Sequence, residues 1–86
     1  EIDKEETIKI IPNPCNDICT LIFNSSLNIK TLDIVVYNTL GQRINADIQV
    51  NDHEIQIDLS TEKSGVYIVC IKDKNKLIGN CKLIKL

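Results

Sequence analysis

The chain has 86 residues, 43% of them apolar but only 3% aromatic, and ten Lys and Arg against twelve Asp and Glu give a formal net charge of −2. A chain this short forms one domain and buries only roughly 60–65% of its unfolded surface, which excludes a two-lobed enzyme with an interdomain cleft. Near-neutral charge without a basic stripe, and Phe23, Tyr37 and Tyr67 as the only aromatics, exclude a stacking platform for nucleic acid.

Residues 1–6 carry four acidic side chains without apolar patterning and read as a mobile leader, so residues 1–7 are taken as a flexible linker and 8–86 as the folded domain. The chain contains no Met, which fits a processed form or a piece of a longer protein. No apolar run approaches 18 residues, so membrane insertion is not expected. Sixteen Ile against a single Ala, Ala46, favour the pleated, half-buried surface of a strand, because β-branched side chains lose rotamer freedom in a helix.

Strands are expected at about 7–11, 18–24, 31–38, 43–50, 54–59, 65–73 and 77–85. Residues 43–50 alternate cleanly, with Ile44, Ala46, Ile48 and Val50 on one face and Arg43, Asn45, Asp47 and Gln49 on the other. Residues 54–59 repeat the pattern, and Asn51-Asp52 supplies the positive φ of a tight hairpin turn. Residues 66–71 are apolar on both faces, which implies a central strand whose outer face is covered by a loop or partner. Seven short strands about ten residues apart point to an all-β, seven-stranded antiparallel immunoglobulin-like β-sandwich, with a five-stranded barrel as the rival fold.

Four cysteines raise the question of disulfides. If Tyr67, Val69 and Ile71 face Leu83, Cys81 and Gly79 across the last hairpin, Cys81 points inward and Cys70 outward, a geometry no bridge can satisfy. Cys15 and Cys19 read as small buried hydrophobes, with a bridge from either to Cys81 as the remaining alternative. Cys15 and Cys19 have a permissible zinc-ligand spacing, but Cys70 and Cys81 lack the second paired knuckle, and no metal or other cofactor is expected. His53 is the only imidazole, its neighbours Asp52 and Glu54 point to opposite strand faces, and no nucleophile elbow or glycine-rich phosphate loop is present, so the chain is not expected to be an enzyme.

Three segments stand out beyond this pattern. In residues 11–17, Pro12 and Pro14, on either side of Asn13, fix φ and remove donors, which holds an extended kink. In residues 34–44, Asn38 can close an Asx-turn after Tyr37, and Gly41 can take positive φ. In residues 58–69, a polar turn containing Ser60 delivers Gly65 and Tyr67 into the doubly apolar strand.

Taken in order, these segments resemble the C-terminal sorting domain of proteins exported by the type IX secretion system of Bacteroidetes. The matching positions are Pro12-Asn13-Pro14, Tyr37-Asn38 with Gly41, Ser60 with Gly65 and Tyr67, and Lys82 with Lys85, over about residues 8–86. The resemblance implies an immunoglobulin-like sandwich that carries an attached cargo across the periplasm to the cell surface or the medium. It also implies recognition by the outer-membrane secretion machinery, and in many cargos removal by a cell-surface sortase, here within residues 1–7. On this resemblance Pro12, Asn13, Pro14, Tyr37, Asn38, Gly41, Gly65, Tyr67, Lys82 and Lys85 carry recognition, and none is catalytic. Ile11, Gln42 and Glu62 depart from the family's aromatic, Arg and apolar plug, and an unpaired Glu62 resists burial, so its loop is expected to be open. The competing function is a stand-alone or accessory adhesion or protein-binding module of a secreted protein.

Overall fold

The computed structural model describes residues 8–23, 28–51 and 54–86. Eight strands succeed one another: β1 (Ile8–Ile11), β2 (Ile18–Phe23), β3 (Leu32–Asn38), β4 (Arg43–Ile44), β5 (Asp47–Val50), β6 (Ile55–Asp58), β7 (Gly65–Asp73) and β8 (Lys76–Lys85). A short 3-10 turn, Ile29–Thr31, precedes β3 and is capped by Asn28, whose side chain accepts from the Lys30 N–H. All strand pairings are antiparallel, in two four-stranded sheets ordered β1-β2-β6-β5 and β4-β3-β7-β8.

Alternation along each strand sends one set of apolar residues between the sheets. Ile10, Cys19, Leu21, Ile55 and Ile57 come from the first sheet, and Ile34, Val36, Tyr67, Val69, Ile71 and Leu83 from the second. Leu59, just beyond β6, is fully buried among them. Each such aliphatic side chain contributes roughly 1.5–3 kcal/mol by leaving water, so this layer holds the sheets together.

The expected strand count of seven is corrected to eight because residues 43–50 do not form one strand. Arg43 and Ile44 pair with Tyr37 and Val36 in the second sheet, whereas Asp47–Val50 pair with β6 in the first. The chain crosses between sheets at Asn45 and Ala46. Side-chain alternation survives the crossing, since an inward residue faces the same core from either sheet, and so the pattern does not reveal the change of backbone partner.

The last hairpin has the expected register, with Tyr67 opposite Leu83, Val69 opposite Cys81 and Ile71 opposite Gly79. A bulge between Ile71 and Lys72 then shifts the pairing, and Lys74 and Asn75 turn the chain with φ of 53° and 70°. Positive φ at both turn positions matches the right-handed strand twist. The hairpin between β5 and β6 is closed by the Asn51 N–H on the Glu54 carbonyl (2.9 Å). Asp52 and His53 lie outside the described residues.

Val66, Ile68 and Cys70 on the outer face of β7, which lies between β3 and β8, are half-buried. Tyr37 lies half-buried on that same outer face opposite Arg43 and Ile68, while Tyr67 occupies the core.

Candidate functional site: the motif-bearing end of the sandwich

The Pro-Asn-Pro segment lies between β1 and β2 of the first sheet and reaches across to the edge of β8 in the second. Pro12 and Pro14, both after cis peptide bonds, have no N–H with which to continue the β1 ladder. Asn13 instead uses its side-chain amide as a piece of backbone: Nδ2 donates to the Lys82 carbonyl (2.8 Å) and Oδ1 accepts from the Ile84 N–H (3.0 Å). Cys15 follows with a main-chain ladder, its N–H on the Ile84 carbonyl (2.8 Å) and its carbonyl accepting the Leu86 N–H (2.8 Å), in a parallel bridge to Lys85. Residues 13–15 therefore close the free edge of the last part of β8, which an edge strand otherwise leaves open.

The second segment forms the β3–β4 turn. The Asn38 carboxamide oxygen accepts from the Leu40 and Gln42 N–H groups (2.9 Å each), and its Nδ2 donates to Gln42 Oε1 (2.8 Å). Gly41, at φ +81°, donates its N–H to the Asn38 carbonyl (3.0 Å). Gln42, a departure from the family's usual Arg, thus completes the turn.

The third segment is the loop from β6 to β7. Asp58 Oδ1 accepts from the Ser60 N–H (2.8 Å), and the hydrogen bonds from Ser60 hold the Asp58 carboxyl below the usual carboxylate range. Leu59 donates its N–H to the Asp17 carbonyl (2.8 Å) and fills the core, and its carbonyl accepts from the Glu62 N–H (2.9 Å). Glu62 is half-exposed, as its charge requires, and the plug at this loop is Leu59. The Tyr67 hydroxyl reaches back four residues to donate to the Lys63 carbonyl (2.6 Å). Burial pushes that hydroxyl's pKa up, with the Glu62 charge adding to the effect.

Strand register brings these segments together. Gly65 lies opposite Lys85, Lys85 is bridged to Cys15, and Asn38 lies opposite Tyr67. Pro12, Asn13, Pro14, Tyr37, Asn38, Gly41, Gly65, Tyr67 and Lys85 therefore occupy one end of the sandwich, with Lys82 tied to it through Asn13. The opposite end holds the start of β1, where Ile8 pairs with Phe23, and the β7–β8 turn. Apolar side chains stand in water at the motif end: Leu40 is 81% exposed and Leu86 62%.

Lys85, one of the motif residues, is buried. Its side chain is only 8% exposed, with Nζ 3.4 Å from the Leu86 main-chain oxygen and 3.9 Å from Asp17 Oδ1. Alternation from Leu83, two residues earlier and fully buried, placed it on the inward face. The bridging role of Asn13 had no sequence signal, because it depends on the distant edge of β8.

All four cysteines are free. Cys15 and Cys19 are buried, Cys81 is half-buried against the core and Cys70 faces outward, as the strand phases require. Burial pushes the Cys19 thiol up to about 12, with nearby Cys15 reinforcing the shift, and its Sγ lies 3.8 Å from the Ile57 carbonyl. Burial likewise raises the Cys81 thiol, whose Sγ is 3.7 Å from the Ile8 carbonyl. Among the described residues no group of three or more His, Cys, Asp or Glu is arranged to hold a metal ion.

The arrangement is that of an all-β module of two packed antiparallel sheets. The model of the secretion system C-terminal sorting domain matches residues 9–85, and the chain belongs to that family. No curated protein and no solved structure matches it. The domain is a sorting signal of the type IX secretion system, a role that is not catalytic. It is recognised by that machinery while attached to a cargo and marks the cargo for export to the cell surface or for secretion.

Proposed function

We propose that the chain directs its cargo by presenting the motif-bearing end of the sandwich to the secretion machinery, while the cargo joins at the opposite end through residues 1–7. The observation that carries this reading is the gathering of three segments, far apart in sequence, at the end away from Ile8. On this reading Asn13, Asn38, Gly41, Gly65 and Tyr67 shape the surface, and exposed Leu40 and Leu86 supply apolar contact. The chain itself performs no chemistry, and a cell-surface sortase acts on the linker.

The strand order supports an immunoglobulin-like reading of the fold. β1-β2-β6-β5 corresponds to A-B-E-D and β3-β7-β8 to C-F-G, with β4 added at the C edge. The Tyr67 hydroxyl on the Lys63 carbonyl is the tyrosine corner of such folds, near the start of strand F.

Two variants of a reporter fused to residues 1–86 test the assignment of the surface. Leu40→Ser at the motif end and Leu77→Ser at the far end both alter exposed side chains, 81% and 52% accessible, and leave the core intact. Surface delivery in a host with this secretion system should fall for Leu40→Ser only. Equal delivery by both variants contradicts the assignment.

A further inference from the structure

Two of the four cysteines meet in the core. Cys15 is held to the second sheet by its main chain, which bonds to Ile84 and Leu86, whereas Cys19 stands on β2 of the first sheet, opposite Ile57. Both side chains are fully buried in the layer between the sheets, and their thiols are in hydrogen-bonding contact. The segment between them is anchored as well, since the Asp17 carbonyl accepts the Leu59 N–H at 2.8 Å. Burial alone explains a small apolar side chain at each position, but it does not require two sulfurs to touch between the sheets.

The other two cysteines stand away from this pair. Cys81 Sγ lies 3.7 Å from the Ile8 carbonyl, and Ile8 pairs with Phe23, four residues along β2 from Cys19. Four residues of extended chain span roughly 13 Å, well beyond the roughly 7 Å between Cα atoms that a disulfide tolerates. Cys70 lies on the outer face of β7.

We propose that Cys15 and Cys19 are a modification site: on export they join in a disulfide that ties the Pro-Asn-Pro segment, already hydrogen-bonded to β8, to β2. The domain marks its cargo for the cell surface or for secretion, and disulfides persist in the periplasm, at the cell surface and in the medium. The co-reactant is a disulfide, that of a low-molecular-weight thiol or of a disulfide-exchange enzyme. The thiolate of one cysteine attacks it, expelling one thiolate and leaving a mixed disulfide; the thiolate of the other then attacks the protein sulfur, forms the Cys15–Cys19 bond and expels the second thiolate. Both S–H bonds of the protein are lost, their protons pass to the expelled thiolates, and the electron pair reduces the co-reactant to two thiols. Only a thiolate attacks, and burial keeps the Cys19 thiol neutral in the closed core, so the exchange takes place before the core closes.

The test refolds residues 1–86 from urea in a buffer of reduced and oxidised glutathione, blocks the remaining thiols with N-ethylmaleimide in denaturant, and digests with trypsin for mass spectrometry. Cys15 and Cys19 share the tryptic peptide 10–30, while Cys70 and Cys81 fall in peptides 64–72 and 77–82. Peptide 10–30 is expected unblocked and lighter by two hydrogens than its reduced form, with Cys70 and Cys81 blocked. Because the fold holds the two sulfurs together, the equilibrium constant for bridge formation against glutathione should be about tenfold higher in the protein than in a synthetic peptide 10–30. The double variant Cys70→Ala/Cys81→Ala should keep the bridge. Blocking of both thiols in peptide 10–30, a bridge from either to Cys70 or Cys81, or a constant no higher than that of the synthetic peptide overturns the proposal. It does not rest on the reading of the motif-bearing end, which the reporter variants test separately.

Discussion

Replacing Asn13 by Ala removes the two side-chain hydrogen bonds that tie the Pro-Asn-Pro segment to β8, one to the Lys82 carbonyl at 2.8 Å and one from the Ile84 N–H at 3.0 Å. A net contribution of about 0.5–1.5 kcal/mol per bond gives about 1–3 kcal/mol for the pair. Asn13 is solvent-exposed, so water replaces part of what is lost, and about 1–2 kcal/mol is expected. For a domain of this size that corresponds to a fall in Tm of about 5–10 °C. The Cys15 ladder to Ile84 and Leu86 remains, so the variant still folds. Asn13→Asp keeps the acceptor for Ile84 but sets a carboxylate against the Lys82 carbonyl, and at pH 7 it should be at least as destabilised. Asn16→Ala, at an exposed neighbouring position, is the control and should stay within about 0.5 kcal/mol of the parent. Urea unfolding followed by circular dichroism measures all three. A loss below about 0.3 kcal/mol for Asn13→Ala, on the scale where surface changes are neutral, refutes the claim that this side chain secures the Pro-Asn-Pro segment to β8.

Asn38→Ala removes the acceptor for two N–H groups and the donor to Gln42, and a cost of about 1–2 kcal/mol in urea unfolding is expected. Gly41→Ala should cost about 1–2 kcal/mol because φ is +81° there. Gly79→Ala should cost under about 1 kcal/mol, since the added Cβ meets only the flexible end of Ile8, 2.8 Å away. Reversal of that order in thermal melts contradicts the local geometry. The Cys19 thiol is raised from 9.0 to about 12, so its neutral form is favoured by folding. Its contribution to stability is complete below pH 9 and is lost progressively as pH rises from 9 towards 12, with Cys81 acting in the same direction. Unfolding free energy measured between pH 8 and 11 should therefore fall, and Cys19→Ala should flatten the decline; an identical slope in the variant counts against the buried-thiol assignment.

Local pattern made much of the fold readable before its topology. Alternation placed Ile55 and Ile57 in the core and fixed the opposite phases of Cys70 and Cys81. Asn38 and Gly41 announced their turn because each has a specific backbone use. Alternation failed where backbone partners changed without a change of face, as at Asn45 and Ala46, and it could not tell that Tyr37 points outward. The motif-bearing end was legible only as separate motifs. Their convergence depends on the pairings of β3 with β7 and β7 with β8 and on the Cys15 bridge, long-range contacts that no local window contains. The burial of Lys85 draws on the same convergence, since Asp17 meets it only in the folded end.

The central claim is that residues 1–86 are a sufficient address for export. Its most direct test fuses them to the C-terminus of a reporter that carries its own signal for entry into the periplasm, in a host with a type IX secretion system. Protease accessibility of the reporter on intact cells, together with its recovery from the medium, then gives its location. The account predicts reporter at the cell surface or in the medium, dependent on the secretion system. Reporter held in the periplasm with the domain folded and uncleaved would contradict it.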